Sequence, residues 1–165
     1  MRRLTFLLLI LVMMFFVGCG FKLRGSMQMP FESIYVDSQG YSMFDSELRR
    51  ALARNENVKL VNDEAKADIK LSIEREIKDK KILSLSKAGN VTEFELGYQV
   101  IYQVTGSRLV PRSKSQEINV IRGLTYSDDK ILAKEEEELL LYEEMQMDAV
   151  AQLLRRLVTL ALTPK

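Results

Sequence analysis

Between Glu93 and Thr105 the chain alternates without a break: Phe94, Leu96, Tyr98, Val100, Tyr102 and Val104 are separated by Glu93, Glu95, Gly97, Gln99, Ile101, Gln103 and Thr105. Successive side chains of a strand point to opposite faces, so this run specifies a long strand with one buried face and one mainly polar face. A strand of this length needs partners beside it and a covering layer on its apolar side. The flanking sequence supplies the partners. Ile69, Leu71, Ile73 and Ile77 alternate with Lys70, Ser72, Glu74, Glu76 and Lys78, a second half-buried strand. After the long strand, Arg108 to Ser115 is a polar turn containing Pro111, and Ile118, Val120, Leu124 and Tyr126 follow at even spacing. That pattern predicts a strand folding back as a hairpin. Ile34-Tyr35-Val36, closed by Asp37 and Gly40, is a short first strand. Val58 to Val61 is brief enough to be only a connector.

The covering layer comes from two amphipathic segments. Phe44, Leu48, Ala51 and Leu52 fall at i, i+4, i+7 and i+8, with Glu47, Arg49, Arg50 and Arg54 mostly turned away, as on a helix with one apolar face. The second segment predicts a helix over 131–162, with Asp128-Asp129 as its N-cap, a stripe of Leu140, Met147, Val150, Leu154, Leu157 and Ala161, and Pro164 as its stop. Strand, helix, three strands, helix gives an α+β fold: two helices packed on one face of a mainly antiparallel four-stranded sheet. No linker or repeat divides the chain. Residues 19–165 form a single domain.

Composition removes whole classes of function. Lys+Arg (24) nearly balance Asp+Glu (23) for a net charge of +1, so long-range attraction to a polyanion is absent and no nucleic-acid partner is expected. Histidine is missing and Cys19 is the one cysteine, which removes the commonest general base and any Cys-cluster metal site. Glu135 to Glu138 are consecutive on a helix and point around an arc of about 300°, so they form a solvated face and no metal site is expected. Glu93 and Glu95 share the polar face of a strand, as surface carboxylates do. Ser84, Ser86 and Lys87 lack a nucleophile elbow or an oxyanion loop. No enzymatic activity and no dissociable cofactor are expected. The polar face of the sheet is less purely charged than usual, with Ile101, Thr105, Asn119 and Ile121 on it, and such a face can contact a partner.

The chain begins Met1-Arg2-Arg3, runs from Leu4 to Val17 with Thr5 as its one polar residue, and then reads Gly18-Cys19-Gly20. A charged start followed by an apolar run of this length is a secretory signal layout (residues 1–18). A membrane-spanning anchor, which needs roughly 20 apolar residues, is the alternative. The small Gly18 directly before Cys19 resembles the bacterial lipobox, with Phe16 where Leu is usual. That resemblance implies cleavage before Cys19 and a covalent lipid on its thiol. Removal of Arg2 and Arg3 turns the net charge of +1 into −1. Three acyl chains would hold the domain at a membrane permanently, as a tether. Gly20, where an Asp would retain a lipoprotein in the inner membrane, points to the outer membrane.

The junction Gly18-Cys19-Gly20-Phe21-Lys22-Leu23-Arg24-Gly25 resembles the start of the LptE family, the lipopolysaccharide-assembly lipoproteins of Gram-negative outer membranes. The order of elements after it also matches. The resemblance implies a non-enzymatic outer-membrane lipoprotein that plugs the LptD β-barrel, helps it fold, and takes part in delivering lipopolysaccharide to the outer leaflet. It also implies lipopolysaccharide-contacting basic residues. Lys87 in Lys87-Ala88-Gly89-Asn90-Val91-Thr92-Glu93-Phe94 and Lys134 in Leu132-Ala133-Lys134 occupy those positions. Lys87 stands where some members carry Arg, which would make a point-charge phosphate contact of a bidentate one. The competing class is a free, lipid-anchored periplasmic carrier of lipid, which needs an apolar cavity. Helices committed to covering a sheet favour the plug.

Overall fold

The computed structural model describes residues 28–38, 42–106 and 114–159. The leader, Cys19 and the junction after it, most of the turn around Pro111, and Ala161 and Pro164 lie outside the described residues. Five strands form one sheet: β1 (Ser33–Ser38), β2 (Lys59–Val61), β3 (Ile69–Leu85), β4 (Val91–Gly106) and β5 (Gln116–Thr125), in the spatial order β2-β1-β3-β4-β5. Two helices, α1 (Met43–Ala53) and α2 (Ile131–Thr159), pack on one face.

The expected α+β architecture is present with one strand more than the sequence pattern predicts. Lys59–Val61 is a strand, and it lies parallel to β1, as β1 does to β3; β3-β4-β5 are antiparallel. The sheet is therefore mixed. Three residues are too few to show a period, and the strand exists because α1 returns the chain to the free edge of β1. The β1-α1-β2 unit buries Phe44, Leu48 and Leu52 against Ile34 and Val36. Ser42 caps α1 by accepting from the Asp45 N–H at 3.0 Å. Asp45 is itself buried and holds Arg49 at 2.9 Å, while Arg49 also donates to the Val36 carbonyl at 3.1 Å. Arg49 thus turns back and ties α1 to β1 instead of facing solvent.

The register of β4 follows its alternation. Leu96, Tyr98, Val100, Tyr102 and Val104 are buried and Phe94 is half-buried, and Ile118, Val120 and Leu124 of β5 line the same face. On β3 the expectation fails after Ile73. Ile73 pairs with Tyr102 but Arg75 pairs with Ile101, leaving Glu74 as an extra residue. Such a bulge reverses the facing of the residues that follow it, here as far as Ile82, where the register shifts again. Ile77 lies beside Gln99 on the outer face, and Glu76, opposite Val100, comes to the helix side. There Glu76 accepts from the Tyr98 hydroxyl and from the Ser42 hydroxyl, both at 2.7 Å. The bulge thereby joins the cap of α1 to the core.

Helix α2 also departs from the expected stripe. Tyr142, Met145, Gln146, Ala149, Val150, Leu153 and Leu157 are buried, whereas Leu140 and Met147 are exposed. Leu154 is half-buried. The pattern shifts because the helix is amphipathic against two surfaces, sheet and α1, and Gln146 is carried into the core by its hydrogen bond to Tyr98. Asp128 and Asp129 lie in a 3₁₀ turn before the helix, with Ser127 at its start and no side-chain capping bond.

Burial, and then the neighbouring Glu76 carboxylate, push the Tyr98 phenol well above its ordinary range. A raised phenol pKa means that the unfolded chain loses this proton first as pH rises, so its stabilising contribution is intact below pH 10.0 and declines above it. Urea midpoints should fall as pH rises beyond about 10, and Tyr98→Phe should flatten that fall. Parallel alkaline limbs for the two proteins would remove Tyr98 as its cause.

Candidate functional site

The β3-β4 hairpin runs past the end of β1, which pairs with β3 no further than Ile73. At its tip, Ser86 N–H donates to the Asn90 carbonyl at 2.8 Å and Gly89 N–H to the Ser86 carbonyl at 3.0 Å. Gly89 has φ +88°, a left-handed conformation that glycine adopts without strain. Lys87 sits in this turn, exposed and without an ion pair among the described residues. Its neighbours Ala88, Gly89 and Asn90 are small or polar, and the ammonium is free to meet an anion.

Lys134 lies at the same end of the molecule in a different state. Its Nζ donates to the Thr125 hydroxyl at 3.0 Å and to Glu137 at 2.7 Å, and its side chain is 17% exposed. Thr125 ends β5, Tyr126 N–H bonds the Thr92 carbonyl at 2.8 Å, and Thr92 meets Ser84 across the hairpin. Thr92 is three residues from Gly89, so the turn carrying Lys87 extends roughly 10 Å beyond the level of Lys134. The structure brings the two lysines to one end but not into contact. Lys134 must exchange Glu137 for an incoming anion, whereas Lys87 need not.

This end carries a further feature that the sequence pattern does not reveal. Ile82, Leu83 and Leu85 of the hairpin and Ile131, Leu132, Leu139 and Leu140 of α2 are all exposed. On β3 Ile82 follows the bulge, and two further register irregularities fall between Ile82 and Leu85, so alternation no longer reports which face is buried. On α2 they precede the segment that α1 covers, since α1 is only 11 residues long. The hairpin and α2 are held together below them. Lys80 pairs with Glu138 and lies 4.2 Å over the Phe94 ring, and the Tyr142 hydroxyl donates to the Asp79 carbonyl at 2.8 Å. Among the described residues there is no group of carboxylates, histidines or cysteines able to hold a metal, and no helix is long and apolar enough to cross a membrane.

Residues 31–157 match the family model LptE, lipopolysaccharide-assembly. The chain is 30% identical to the LPS-assembly lipoprotein LptE of Pectobacterium atrosepticum, over 96% of this chain and 87% of that protein. It is 34% identical to the protein of the same name from Yersinia pestis, over 96% of this chain and 77% of the relative. Among solved structures, lipoprotein B from Nitrosomonas europaea superposes with a TM-score of 0.71 at 39% identity, covering 85% of this chain and 91% of that one. Rare lipoprotein B from Shewanella oneidensis gives 0.67 at 27% identity, with 78% and 95% covered. The match runs from Phe31, two residues before β1, to the last buried turn of α2, so that the sheet and both helices described above are those of a member of the LptE lipopolysaccharide-assembly family, to which this chain belongs.

Proposed function

We propose that the protein is an outer-membrane lipoprotein, anchored through a lipid on Cys19, that sits as a plug within the LptD β-barrel and binds lipopolysaccharide through Lys87, assisted by Lys134. The family match across the whole folded domain supports the assembly role. The observation that carries the binding reading is the unpaired, exposed ammonium of Lys87 at the tip of a hairpin. Lipid A and the inner core are anionic, and a domain with a net charge near zero recognises an anion through local cations instead of long-range attraction. The two helices spend their buried faces on the sheet and on each other, an arrangement suited to a rigid plug. The reaction class is assembly and transfer without covalent chemistry.

Two measurements test this. A tagged mature chain purified from outer membranes should bring a large β-barrel with it stoichiometrically; its absence defeats the plug. Lys87→Asp should weaken lipopolysaccharide binding by about tenfold, an expected loss of the order of one charge-assisted hydrogen bond. Lys134→Asp should have the smaller effect, because Glu137 already neutralises that lysine. Circular dichroism and recovery of the barrel should be unchanged in both. Undiminished binding by the double variant, or binding indifferent to added salt, places the anion site elsewhere.

A further inference from the structure

Beyond Ile73 the outer edge of β3 has no strand beside it. β1 stops there, and no described strand pairs with Arg75–Leu85 on that side. The stretch is roughly 35 Å long at the usual rise per residue. Every second residue of such an edge aims its backbone N–H and C=O away from the sheet, a template for another strand. One of the groups in this stretch, the Asp79 carbonyl, takes the Tyr142 hydroxyl. Folded proteins commonly blunt long edges with charge and bulges. The Glu74 bulge and four basic residues serve that end near β1, but the distal half carries exposed Ile82, Leu83 and Leu85.

The side chains state what can lie there. Both acids of the stretch already have partners within the chain: Glu76 takes the Tyr98 and Ser42 hydroxyls, and Asp79 takes Lys81 at 2.9 Å. Lys80 is paired with Glu138. Arg75 is left without an ion pair among the described residues, and Lys78, also without one, lies 5.1 Å over the Tyr142 ring. The edge thus offers backbone hydrogen bonds, surplus positive charge near its start and apolar side chains near its end. A second copy fits poorly: in parallel it brings the same cations against themselves, and antiparallel about Lys80 it sets Arg75 and Lys78 opposite apolar Leu85 and Ile82, with no acid to meet them. We propose that this edge receives an extended segment of the barrel partner, acidic where it meets Arg75 and Lys78 and apolar where it meets Ile82 to Leu85, which adds to the sheet as a strand; this rests on the plug reading.

The test uses the full lipid-anchored chain in its membrane, with a photo-reactive benzoylphenylalanine replacing Ile77, Asp79 or Lys81 in turn. These three share the outer face at two-residue spacing. An added strand should give cross-links to one barrel segment, displaced along it by two residues at each step. Arg75→Glu combined with Lys78→Glu should lower the barrel recovered by about tenfold, the effect of an unfavourable charge contact of about 1.4 kcal/mol, with circular dichroism unchanged. Barrel that co-purifies while its cross-links scatter over several segments, or fail to form, overturns the edge proposal and leaves the plug standing. Cross-links to a second copy of this chain also overturn it. Failure of the unaltered chain to bring down any barrel removes the plug reading, and the edge proposal with it.

Discussion

Val100→Asp is expected to unfold the domain at ordinary temperature, whereas Gln99→Asp, one residue away, is expected to leave it folded. Val100 is 0% exposed at the centre of β4, flanked by Ile118 on β5 and by Glu76 on β3. The substitution removes a buried apolar side chain and sets a carboxylate beside that of Glu76, which already holds two hydroxyl donors. The lost burial and an unpaired charge together cost about 5 kcal/mol or more. A domain of this size has about 5–15 kcal/mol in all. Gln99 faces the other way, half-buried beside Ile77, and bonds Glu117 at 3.0 Å. Aspartate there loses that bond and repels Glu117 in solvent, at about 1 kcal/mol. Urea denaturation of the two variants measures the contrast, and equal midpoints would show that the register of β4 is wrong.

The second large effect concerns location. Cys19→Ser should abolish lipid anchoring while leaving the fold intact, because among the described residues the core begins at the half-buried Met29 and at Phe31, ten and twelve positions after Cys19. One acyl chain gives only marginal and reversible binding, and three make release negligible on a cellular timescale. Exported behind a leader that is removed without lipidation, and made without the barrel partner, the variant chain should therefore leave the membrane fraction, with an unchanged melting temperature. Mass spectrometry of the unaltered protein should find acylated Cys19 as its first residue. Outer-membrane material that retains the intact Met1-to-Val17 leader would overturn the assignment.

How much of this molecule could be read in advance depended on whether local period and three-dimensional environment agreed. They agree in β4, β5 and α1, where one face meets a continuous core and the other meets solvent, so alternation or helical spacing names the buried residues directly. They part company in three places. The Glu74 bulge shifts β3 by one residue, and a one-residue shift exchanges the two faces; Ile77, apolar and in step with Ile73, ends on the outer side for that reason. In α2 the buried stripe follows two neighbours at an angle to each other, and Gln146 is recruited inward by Tyr98 while Leu140 is left outside. Lys59–Val61 becomes a strand through the position to which α1 delivers it.

The candidate site divides along the same line. Lys87 is legible because a lysine beside Gly89-Asn90 in a polar turn between two strands is exposed whatever the tertiary arrangement. Lys134 is equally legible as a position but not in its state: its bond to Thr125 requires β5 to end under the first turns of α2, and that proximity is long-range. Sequence by itself determined the α+β class, the core faces of β4, β5 and α1, and the turn that presents Lys87, since each depends on residues within a few positions of one another. Tertiary structure decided the fifth strand and the sheet's mixed directions, the facing of β3, the engagement of Lys134, and the long unpaired edge with its exposed leucines. These depend on where one element stops relative to another far along the chain, and no local periodicity records where β1 and α1 end beside β3 and α2.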